Sequence, residues 1–252
     1  MNALIVFAKA PIEGEVKTRL VEKNGPLTKA EVCGLYRSFL CDVLQTAGNC
    51  DADRIIVNYL PAGSEAIMYE LAKSAIPPEK LLLQPQSGEN FAKRVAAAFD
   101  YAAGIGADST VMVGSDSPTL QSKTINEAFK HLAKDSGAAL GPSGEGGLYL
   151  IGLKKPLRPD FEKIFGEADE LSNFVEQLAN DSVPFSLLEE VTDVDVVSDL
   201  VTLISLVGAM KLAVNHRQLD FPRQSADAIK KLRLKIVRSN GTRDKVIIGG
   251  GR

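Results

Sequence analysis

Short apolar runs alternate along this chain with longer stretches of helical periodicity, and this alternation restricts the fold more than any other feature. The runs at 3–8, 54–60 and 109–118 have the length and β-branched content of buried strands. The stretches at 27–47 and 89–103 repeat apolar residues at intervals of three and four, as amphipathic helices do. The succession predicts an α/β fold with a Rossmann-like, mostly parallel sheet flanked by helices.

Further elements follow from the same patterns. Thr28 is predicted as the N-cap of the helix at 27–47, because Glu31 stands three residues later and completes a capping box. The other predicted helices lie at 63–75, 122–134, about 168–181, 197–213 and 224–237. The other predicted strands lie within 77–86, in a pair joined by a glycine-rich turn at 137–153, and at 183–190. Ligands of such sheets bind at the carboxyl ends of the strands.

Charge divides the chain into two parts. The whole sequence of 252 residues has a net charge of −3, which argues against a nucleic-acid-binding protein. Residues 217–252, however, hold ten Lys or Arg and three Asp, a net +7, and leave −10 for the remainder. We therefore expect a main domain at 1–214 and a basic C-terminal extension at 215–252. We expect the extension to pack on its acidic body or to stay solvated, with nucleic-acid or partner binding as the alternative.

The cysteine pattern and the hydropathy indicate a cytoplasmic protein. Cys33, Cys41 and Cys50 are odd in number and form no CxxC pair, so we expect reduced thiols. No apolar run reaches the ~18 residues that a membrane span needs. The N-terminus lacks the charged, apolar and small-residue order of a signal peptide.

The loop after the first strand, AKAPIEGEVKTRL, combines a glycine with three cations, Lys9, Lys17 and Arg19. Backbone N–H groups near Gly14, a following helix start and these cations would together form an anion cradle. The loop matches neither the Walker A pattern nor GxGxxG. The alternative is a surface loop whose cations are simply solvated.

Two acidic segments suggest a metal site. Asp116 follows a buried strand in VMVGSDSPTL, where metal-dependent nucleotide transferases hold a divalent cation. Asp193 and Asp195 alternate on an extended segment, so they are expected to point to the same side. The three carboxylates together would suit Mg²⁺ or Mn²⁺. The alternatives are a turn at Asp116 and helix capping by Asp195 or Ser198.

The glycine-rich segment GPSGEGGLYLIG forms the fourth candidate feature. Gly146 and Gly147 would permit close approach of the backbone to a ligand. A hairpin turn between two strands is the alternative.

Five segments together resemble one known group of proteins. FAKAPIEGEVKTRL, QSGENFAKRVAAAF, VGSDSPTL, GPSGEGGLYLIGL and DVDVVSDL occur in the order and approximate spacing found in the nucleotide-diphospho-sugar transferase superfamily, which has the GT-A fold. Within it, the chain resembles a group of glycosyltransferases associated with radical-SAM and selenodomain proteins. It is more distantly similar to phospholactate guanylyltransferase. The resemblance covers about residues 1–214.

The resemblance implies a role for each matching position. The nucleotide phosphates would be bound by Ala8, Lys9, Pro11, Gly14, Lys17, Arg19, Gly114 and Ser115. The metal ion would be bound by Asp116, Asp193 and Asp195. The sugar or acceptor side would be lined by Ser117, Glu145, Gly146, Gly147 and Tyr149. Asp116, Lys17 and Arg19 would take part in catalysis.

The chain departs from the group's pattern at three places. Glu13 stands where the first loop usually has a second proline. The usual EDGGYY is GEGGLY at 144–149, and Asn90, Phe91 and Ala92 replace an acidic residue, a leucine and a glycine. These departures concern mainly the acceptor side, whereas the acids of the metal site remain.

The resemblance implies a metal-dependent transferase that uses a nucleotide-activated substrate and a small-molecule acceptor. A glycosyltransferase with a nucleotide-diphospho-sugar donor is the first reading. A nucleotidyltransferase that joins an NTP to a small phosphorylated metabolite is the alternative, because Gly114–Ser117 supplies one acid rather than Asp-x-Asp. A nucleotide-binding module without catalysis and an interaction protein that uses the basic extension also remain open.

Overall fold

A computed structural model describes residues 1–21, 27–166, 169–238 and 245–249. The strands are β1 Asn2–Lys9, β2 Arg54–Leu60, β3 Leu81–Pro85, β4 Ser109–Gly114, β5 Ala138–Pro142, β6 Leu148–Lys154, β7 Phe185–Leu187, β8 Lys235–Arg238 and β9 Lys245–Ile248. The helices are α1 Lys29–Gly48, α2 Glu65–Ala72, α3 Phe91–Gly104, α4 Ser122–Ala133, α5 Phe161–Ile164, α6 Glu170–Asn180, α7 Val197–Leu212 and α8 Arg223–Lys231.

Seven strands of the described chain form one sheet in the order β3-β2-β1-β4-β6-β5-β7. All neighbours pair in parallel except β6, which runs antiparallel to both β4 and β5. The predicted mostly parallel α/β sheet is therefore confirmed. The order reverses between β1 and β4, and the carboxyl ends of two parallel strands diverge into a crevice at such a point.

Helices cover both faces of the sheet, so its central strands β1, β2, β4 and β6 are buried on both sides. Leu4 and Val6 of β1 pack with α1, α2 and α4. Ala3 and Ile5, which point the opposite way, pack with α3, α5 and α6. Helix α1, which follows β1, and helix α3, which precedes β4, thus lie on opposite faces of the sheet. This arrangement leaves the ends of β1 and β4 open to a ligand.

The predicted capping box fixes the start of α1. The Thr28 hydroxyl accepts from the Glu31 N–H at 3.3 Å, and the Glu31 carboxylate accepts from the Thr28 N–H at 2.8 Å. Two N–H groups that the helix leaves unpaired are thereby satisfied. The start of α1 matters for the site, because this helix carries Tyr36.

The C-terminal residues pack against the body through a cluster shared by α1, α7, α8 and the β8–β9 hairpin. Asp42 of α1 accepts from the N–H groups of Gln224 and Ser225 and from the Ser225 hydroxyl, at 3.0, 2.8 and 2.6 Å. These bonds anchor the first turn of α8 to α1. The division at 214 remains a prediction, and Arg243, Asp244 and Arg252 of the basic extension lie outside the described residues.

The helix predicted at 224–237 is wrong in its second half. Helix α8 ends at Lys231, Arg233 adopts a left-handed φ of 52°, and β8 begins at Lys235. A residue in this conformation terminates a helix. The hairpin then buries Leu234 and Ile247 in the shared cluster, and this burial decides against a longer helix.

Two smaller expectations can be compared with the structure. Cys33, Cys41 and Cys50 are free thiols, as expected. None of the described helices is long and apolar enough to cross a membrane.

Candidate functional site

A cavity of about 510 Å³ opens at the carboxyl ends of β1 and β4. Its walls are the end of β1, the loop residues 15–19, Tyr36 of α1, Phe91 and Arg94 of α3, and the acids Asp116 and Asp195. This is the crevice at which the strand order reverses, and four separate parts of the chain contribute charged groups to it. We take it as the candidate active site.

A larger cavity, about 1060 Å³, lies between α1, α2 and the segment 211–224. Its acids are already paired: Asp42 with α8, Asp220 with Ser122, and Glu70 with Lys73. None of the residues predicted for the site lines it. Size alone therefore does not identify the site.

Lys17 is the central residue of the smaller cavity. Its ammonium lies 2.6 Å from Asp116 Oδ2 and 2.5 Å from Asp195 Oδ1, and only 6% of its side chain is exposed. Burial alone would lower the pKa of Lys17. The charges of Asp116 and Asp195, which also accept its hydrogen bonds, outweigh the burial, so this pKa lies above its ordinary value. The lysine is therefore a charged group held between two carboxylates.

The backbone of Lys17 is also unusual. Its φ of 47° and ψ of 40° are left-handed, at the start of the helical turn Thr18–Leu20. Such a conformation costs a non-glycine residue about 1–2 kcal/mol. Two features hold the loop in this form. One is the pair of ion pairs of Lys17, and the other is the burial of the neighbouring Val16 and Leu20 in the cluster shared by α1, α7, α8 and the β8–β9 hairpin.

A backbone contact brings the two acids together. The Val194 N–H donates to the Asp116 carbonyl at 2.9 Å, and Val194 is buried. The Asp199 carboxylate accepts from the N–H groups of Asp195 and Val196, both at 2.9 Å, so Asp199 caps α7. Asp195 was considered as a possible cap of this helix, but its side chain binds Lys17 instead.

The third predicted acid, Asp193, forms no ion pair with Lys17, although its charge interacts with this pair and with the lysine. Burial is the main cause that raises its pKa; Asp195 and Asp116 raise it further, while Lys17 opposes them. Among the described residues, no group of three acids, histidines or cysteines is arranged to hold a metal ion. The segment before α7 forms no strand, so the alternation rule used in the prediction does not set its side chains. The paired cluster consists of two carboxylates and an ammonium, and a part for Asp193 in metal binding stays a prediction.

The two remaining carboxylates still fit a divalent cation. Asp116 and Asp195 converge on one point, and the Lys17 ammonium stands there as a cation. Magnesium in nucleotide enzymes is commonly held by one or two carboxylates, with phosphates and water completing the shell. The donor set therefore suits Mg²⁺ or Mn²⁺ once Lys17 moves aside.

Tyr36 connects the site to α1. Its hydroxyl donates to the Lys9 carbonyl at 2.8 Å and accepts from the Lys9 N–H at 3.1 Å. It also lies 3.0 Å from Ser115 Oγ, which is 3.1 Å from Asp116 Oδ1 and donates to it. Burial raises the pKa of Tyr36, so it remains a neutral hydroxyl. This residue was not predicted, although its position on the inner face of α1 places it beneath the loop.

Arg94 and Phe91 were also missed. The Arg94 side chain makes no hydrogen bond or ion pair to any described residue, and its Nε is buried without a partner. Phe91 is 47% exposed and lies edge-on to Phe7 and Phe165. The sequence could have indicated them, because Phe91 and Arg94 are three residues apart in the first turn of α3 and therefore lie on the same side of the helix, facing the crevice.

Several predicted residues do line the cavity. Those that do are Ala8, Lys9, Lys17, Arg19, Ser115, Asp116 and Asp195. Pro11, Gly14, Gly114 and the buried Ser117 do not. Gly14 has a φ of 81°, so its role is to shape the loop.

The predicted acceptor residues Glu145, Gly146, Gly147 and Tyr149 do not line this cavity either. Tyr149 is 3% exposed, and its hydroxyl donates to the Glu189 carbonyl at 3.0 Å. It belongs to the core because other residues pack on both faces of β6. A part in acceptor binding for the 145–147 turn stays a prediction.

Comparison with known proteins shows the family to which the chain belongs. A family described as an uncharacterised protein conserved in bacteria (DUF2064) matches residues 43–166. A search of curated proteins finds no match. A crystal structure from Desulfovibrio desulfuricans G20, assigned as a nucleotide-diphospho-sugar transferase, is 30% identical, with a TM-score of 0.74. The match covers 91% of this chain and 97% of that one.

Two cytidylyltransferase structures share the fold. One, from Leptospira borgpetersenii, has 14% identity and a TM-score of 0.52, with 91% of this chain and 94% of that chain covered. The other, the 4-diphosphocytidyl-2C-methyl-D-erythritol synthase of Anaerococcus prevotii, has 10% identity and a TM-score of 0.54, with 81% and 96% covered. The Desulfovibrio structure is more similar in sequence, and its match covers nearly the full length of both chains. This chain therefore belongs to the nucleotide-diphospho-sugar transferase superfamily.

Proposed function

We propose that the protein is a metal-dependent transferase that moves a sugar from a nucleotide-diphospho-sugar to a small-molecule acceptor. The observation that carries this proposal is the Lys17 ammonium held between Asp116 and Asp195 at the open end of β1 and β4. Carboxylates that converge on a cation, beside a loop with further cations, match the needs of a diphosphate and its metal ion. The name of the Desulfovibrio relative supports the same reaction class.

Mg²⁺ or Mn²⁺ would be held by Asp116 and Asp195, and Asp193 would add negative charge behind them. Such an ion supplies electrostatic stabilisation of the charge that develops on a departing diphosphate. The two carboxylates are 33% and 47% exposed, so they can reach an ion that arrives with the substrate.

The other residues of the cavity bind and orient the donor. Lys9 and Arg19 line the cavity and would neutralise the diphosphate, while Tyr36 and Ser115 hold Asp116 in place. The half-exposed ring of Phe91 offers an apolar surface to a base or a sugar. In the transfer, the acceptor oxygen forms a bond to the sugar carbon and its proton leaves to water. The carbon–oxygen bond to the diphosphate breaks, and the nucleoside diphosphate keeps the electron pair.

Nucleotidyl transfer is the second candidate. The loop after β4 carries one acid, Asp116, and a second acidic segment approaches it from before α7. This arrangement favours an NTP and a phosphorylated metabolite, with pyrophosphate as the leaving group. The same carboxylates would then hold the metal ion of the NTP.

A thermal-shift panel separates these reactions. NTPs, UDP-, GDP-, ADP- and dTDP-sugars and free diphosphates are each tested with and without Mg²⁺ or Mn²⁺, since a ligand of the native state raises the melting temperature. A metal-dependent shift with one nucleotide-sugar supports glycosyl transfer, and a shift with one NTP supports nucleotidyl transfer. A ligand that binds without any turnover indicates a non-catalytic module instead.

Two variants connect the panel to the site. Asp116→Asn should abolish the metal dependence of the shift, whereas Asp181→Asn, an exposed acid that follows α6, should leave it intact. Metal-dependent stabilisation that persists in Asp116→Asn contradicts the assignment of the site.

A further inference from the structure

The charge balance of the cavity limits what Lys17 can do for a substrate. Its positive charge is matched by Asp116 and Asp195 at contact distance, and Asp193 lies near enough for its charge to interact with all three. This cluster is therefore negative as a whole. A phosphate group that enters the cavity needs cations that no carboxylate already holds.

Arg94 is such a cation. It lines the same cavity as Lys17 and Asp116, and its side chain makes no ion pair or hydrogen bond to any residue of the described chain. Its Nε is buried and has no acceptor. A buried donor without a partner costs free energy, and the large majority of native donors avoid this state. A guanidinium that has no anionic partner and lies at a cavity wall can bind an anion that enters the cavity.

The backbone of Arg94 is held rigidly. The Arg94 N–H donates to the Asn90 carbonyl at 3.1 Å, and the Asn90 side chain caps α3 through the Lys93 N–H at 2.8 Å. Gly88 has a φ of 136°, and a Cβ placed on it would come within 2.8 Å of the Arg94 nitrogen. The preceding loop thus lies directly on the first turn of α3, and a rigid support of this kind reduces the entropy lost on binding.

We propose that Arg94 binds a phosphoryl group of the substrate on the α3 side of the cavity, opposite the acidic pair. This inference rests on the proposed function in one respect: the substrate of the site carries phosphate. The planar guanidinium can give two parallel hydrogen bonds to phosphate oxygens. The group is either a phosphate of the nucleotide or a phosphate on the second substrate.

A structural role for Arg94 predicts a different stability. If Arg94 only packed the wall, its replacement would destabilise the fold. If it is an unpaired binding group, Arg94→Met removes the unsatisfied donor and keeps the length of the side chain. The unfolding midpoint of Arg94→Met should then equal or exceed that of the wild type, while phosphate binding falls.

Isothermal titration with inorganic pyrophosphate, orthophosphate and the nucleotide found in the thermal-shift panel tests this inference. The variants are Arg94→Met and Arg94→Lys, and the control is Lys93→Met, which removes a cation of the same helix turn that pairs with Glu89 outside the cavity. Arg94→Met should weaken the binding of pyrophosphate, or of orthophosphate in the presence of the nucleotide, about tenfold or more. Arg94→Lys should recover part of this loss, and Lys93→Met should bind as the wild type does.

The source of the phosphate follows from the ligand that is affected. A loss of both pyrophosphate and nucleotide binding assigns Arg94 to the nucleotide. A loss confined to orthophosphate, titrated with the nucleotide present at saturation, assigns it to the second substrate. Both results support the inference.

Other results overturn it. Suppose that the wild type binds nucleotide and that Arg94→Met binds every phosphate as tightly as the wild type does. This result refutes the inference and leaves the proposed function unaffected. A wild type that binds pyrophosphate through Arg94 but no nucleotide retains the inference and refutes the proposed function. A wild type that binds none of the phosphates refutes both.

Discussion

The N–H of Val194 donates to the carbonyl oxygen of Asp116 at 2.9 Å, across 78 positions of sequence. This bond holds the segment before α7 against the end of β4. It is the reason that Asp195 faces Asp116, with Lys17 between them. The acidic pair is thus built by backbone pairing, and its side chains remain able to exchange one cation for another.

Lys17→Met should create a cation site that the wild type fills internally. Without the ammonium, Asp116 and Asp195 repel each other, and we expect a loss of about 1–2 kcal/mol of stability at neutral pH, reduced because both carboxylates are partly exposed. Mg²⁺ or Mn²⁺ should restore it. The melting temperature of the variant, measured with and without the metal, checks this.

The matched control for that experiment is Lys211→Met, which removes an exposed lysine of α7. Its melting temperature should respond to metal as that of the wild type does. An equal response of Lys17→Met and the control would show that the two carboxylates do not form a cation position.

Tyr36→Phe should weaken both the fold and the site. The variant removes the acceptor of the Lys9 N–H and the contact with Ser115, so we expect a destabilisation of about 1–2 kcal/mol. Nucleotide affinity in the presence of metal should also fall, because Ser115 then loses its support beside Asp116. Urea denaturation and titration measure the two effects.

Tyr101→Phe provides the comparison, since the Tyr101 hydroxyl makes no hydrogen bond to the described residues. It should change neither quantity. If Tyr36→Phe behaves in the same way, the tyrosine does not support the site.

A double-mutant cycle on Asp42 and Ser225 should reveal strong coupling between α1 and α8. The Ser225 hydroxyl and N–H both donate to Asp42 Oδ2, and Ser225 is fully buried. For Asp42→Ala and Ser225→Ala, we expect an interaction free energy of about 1–2 kcal/mol in urea denaturation. Strictly additive effects would mean that this contact does not hold the two helices together.

The pH dependence of stability should carry the signature of Asp42. Burial raises the pKa of its carboxyl, although the hydrogen bonds from Ser225 and Gln224 oppose this. A carboxyl whose pKa is higher in the folded state binds its proton more tightly there. Its contribution to stability is therefore complete below its ordinary pKa of 3.8 and declines as the pH rises through the raised value.

Denaturation of the wild type and Asp42→Asn between pH 3 and 7 measures this effect. The stability of the wild type relative to the variant should fall as the pH rises. Asp135→Asn, an exposed acid beyond α4, should show no such trend. A relative stability of Asp42→Asn that is constant over this range would contradict the raised pKa.

The fold could be predicted because its signals are local. Strand runs, helical periodicity and the capping box at Thr28 and Glu31 each depend on a few neighbouring residues. The hairpin of β5 and β6 was visible in the same way from its glycines. The end of α8 was not, because tertiary burial of Leu234 and Ile247 decides it.

The site was only partly predictable. The position of Lys17, Arg19 and Asp116 after strands could be inferred, but the pairing of Lys17 with Asp195 spans 178 positions and depends on the docking of the segment before α7. The Arg94 side chain lacks a hydrogen-bond partner because no acceptor from a distant part of the described chain lies close to it. No local sequence pattern indicates such an absence. Tyr149 is buried because both faces of β6 are covered, which depends on tertiary packing.

The anchoring of α8 by Asp42 has a consequence for the order in which the protein is completed on the ribosome. Ser225 follows Asp42 by 183 positions. At about 5–20 residues per second, roughly 10–40 s separate the appearance of the two partners. During that interval the outer face of α1 is complete in sequence but lacks its covering layer. The final segment of the chain therefore closes a structure whose sheet has had time to form, and a stalled or shortened product leaves an apolar helix face open to aggregation.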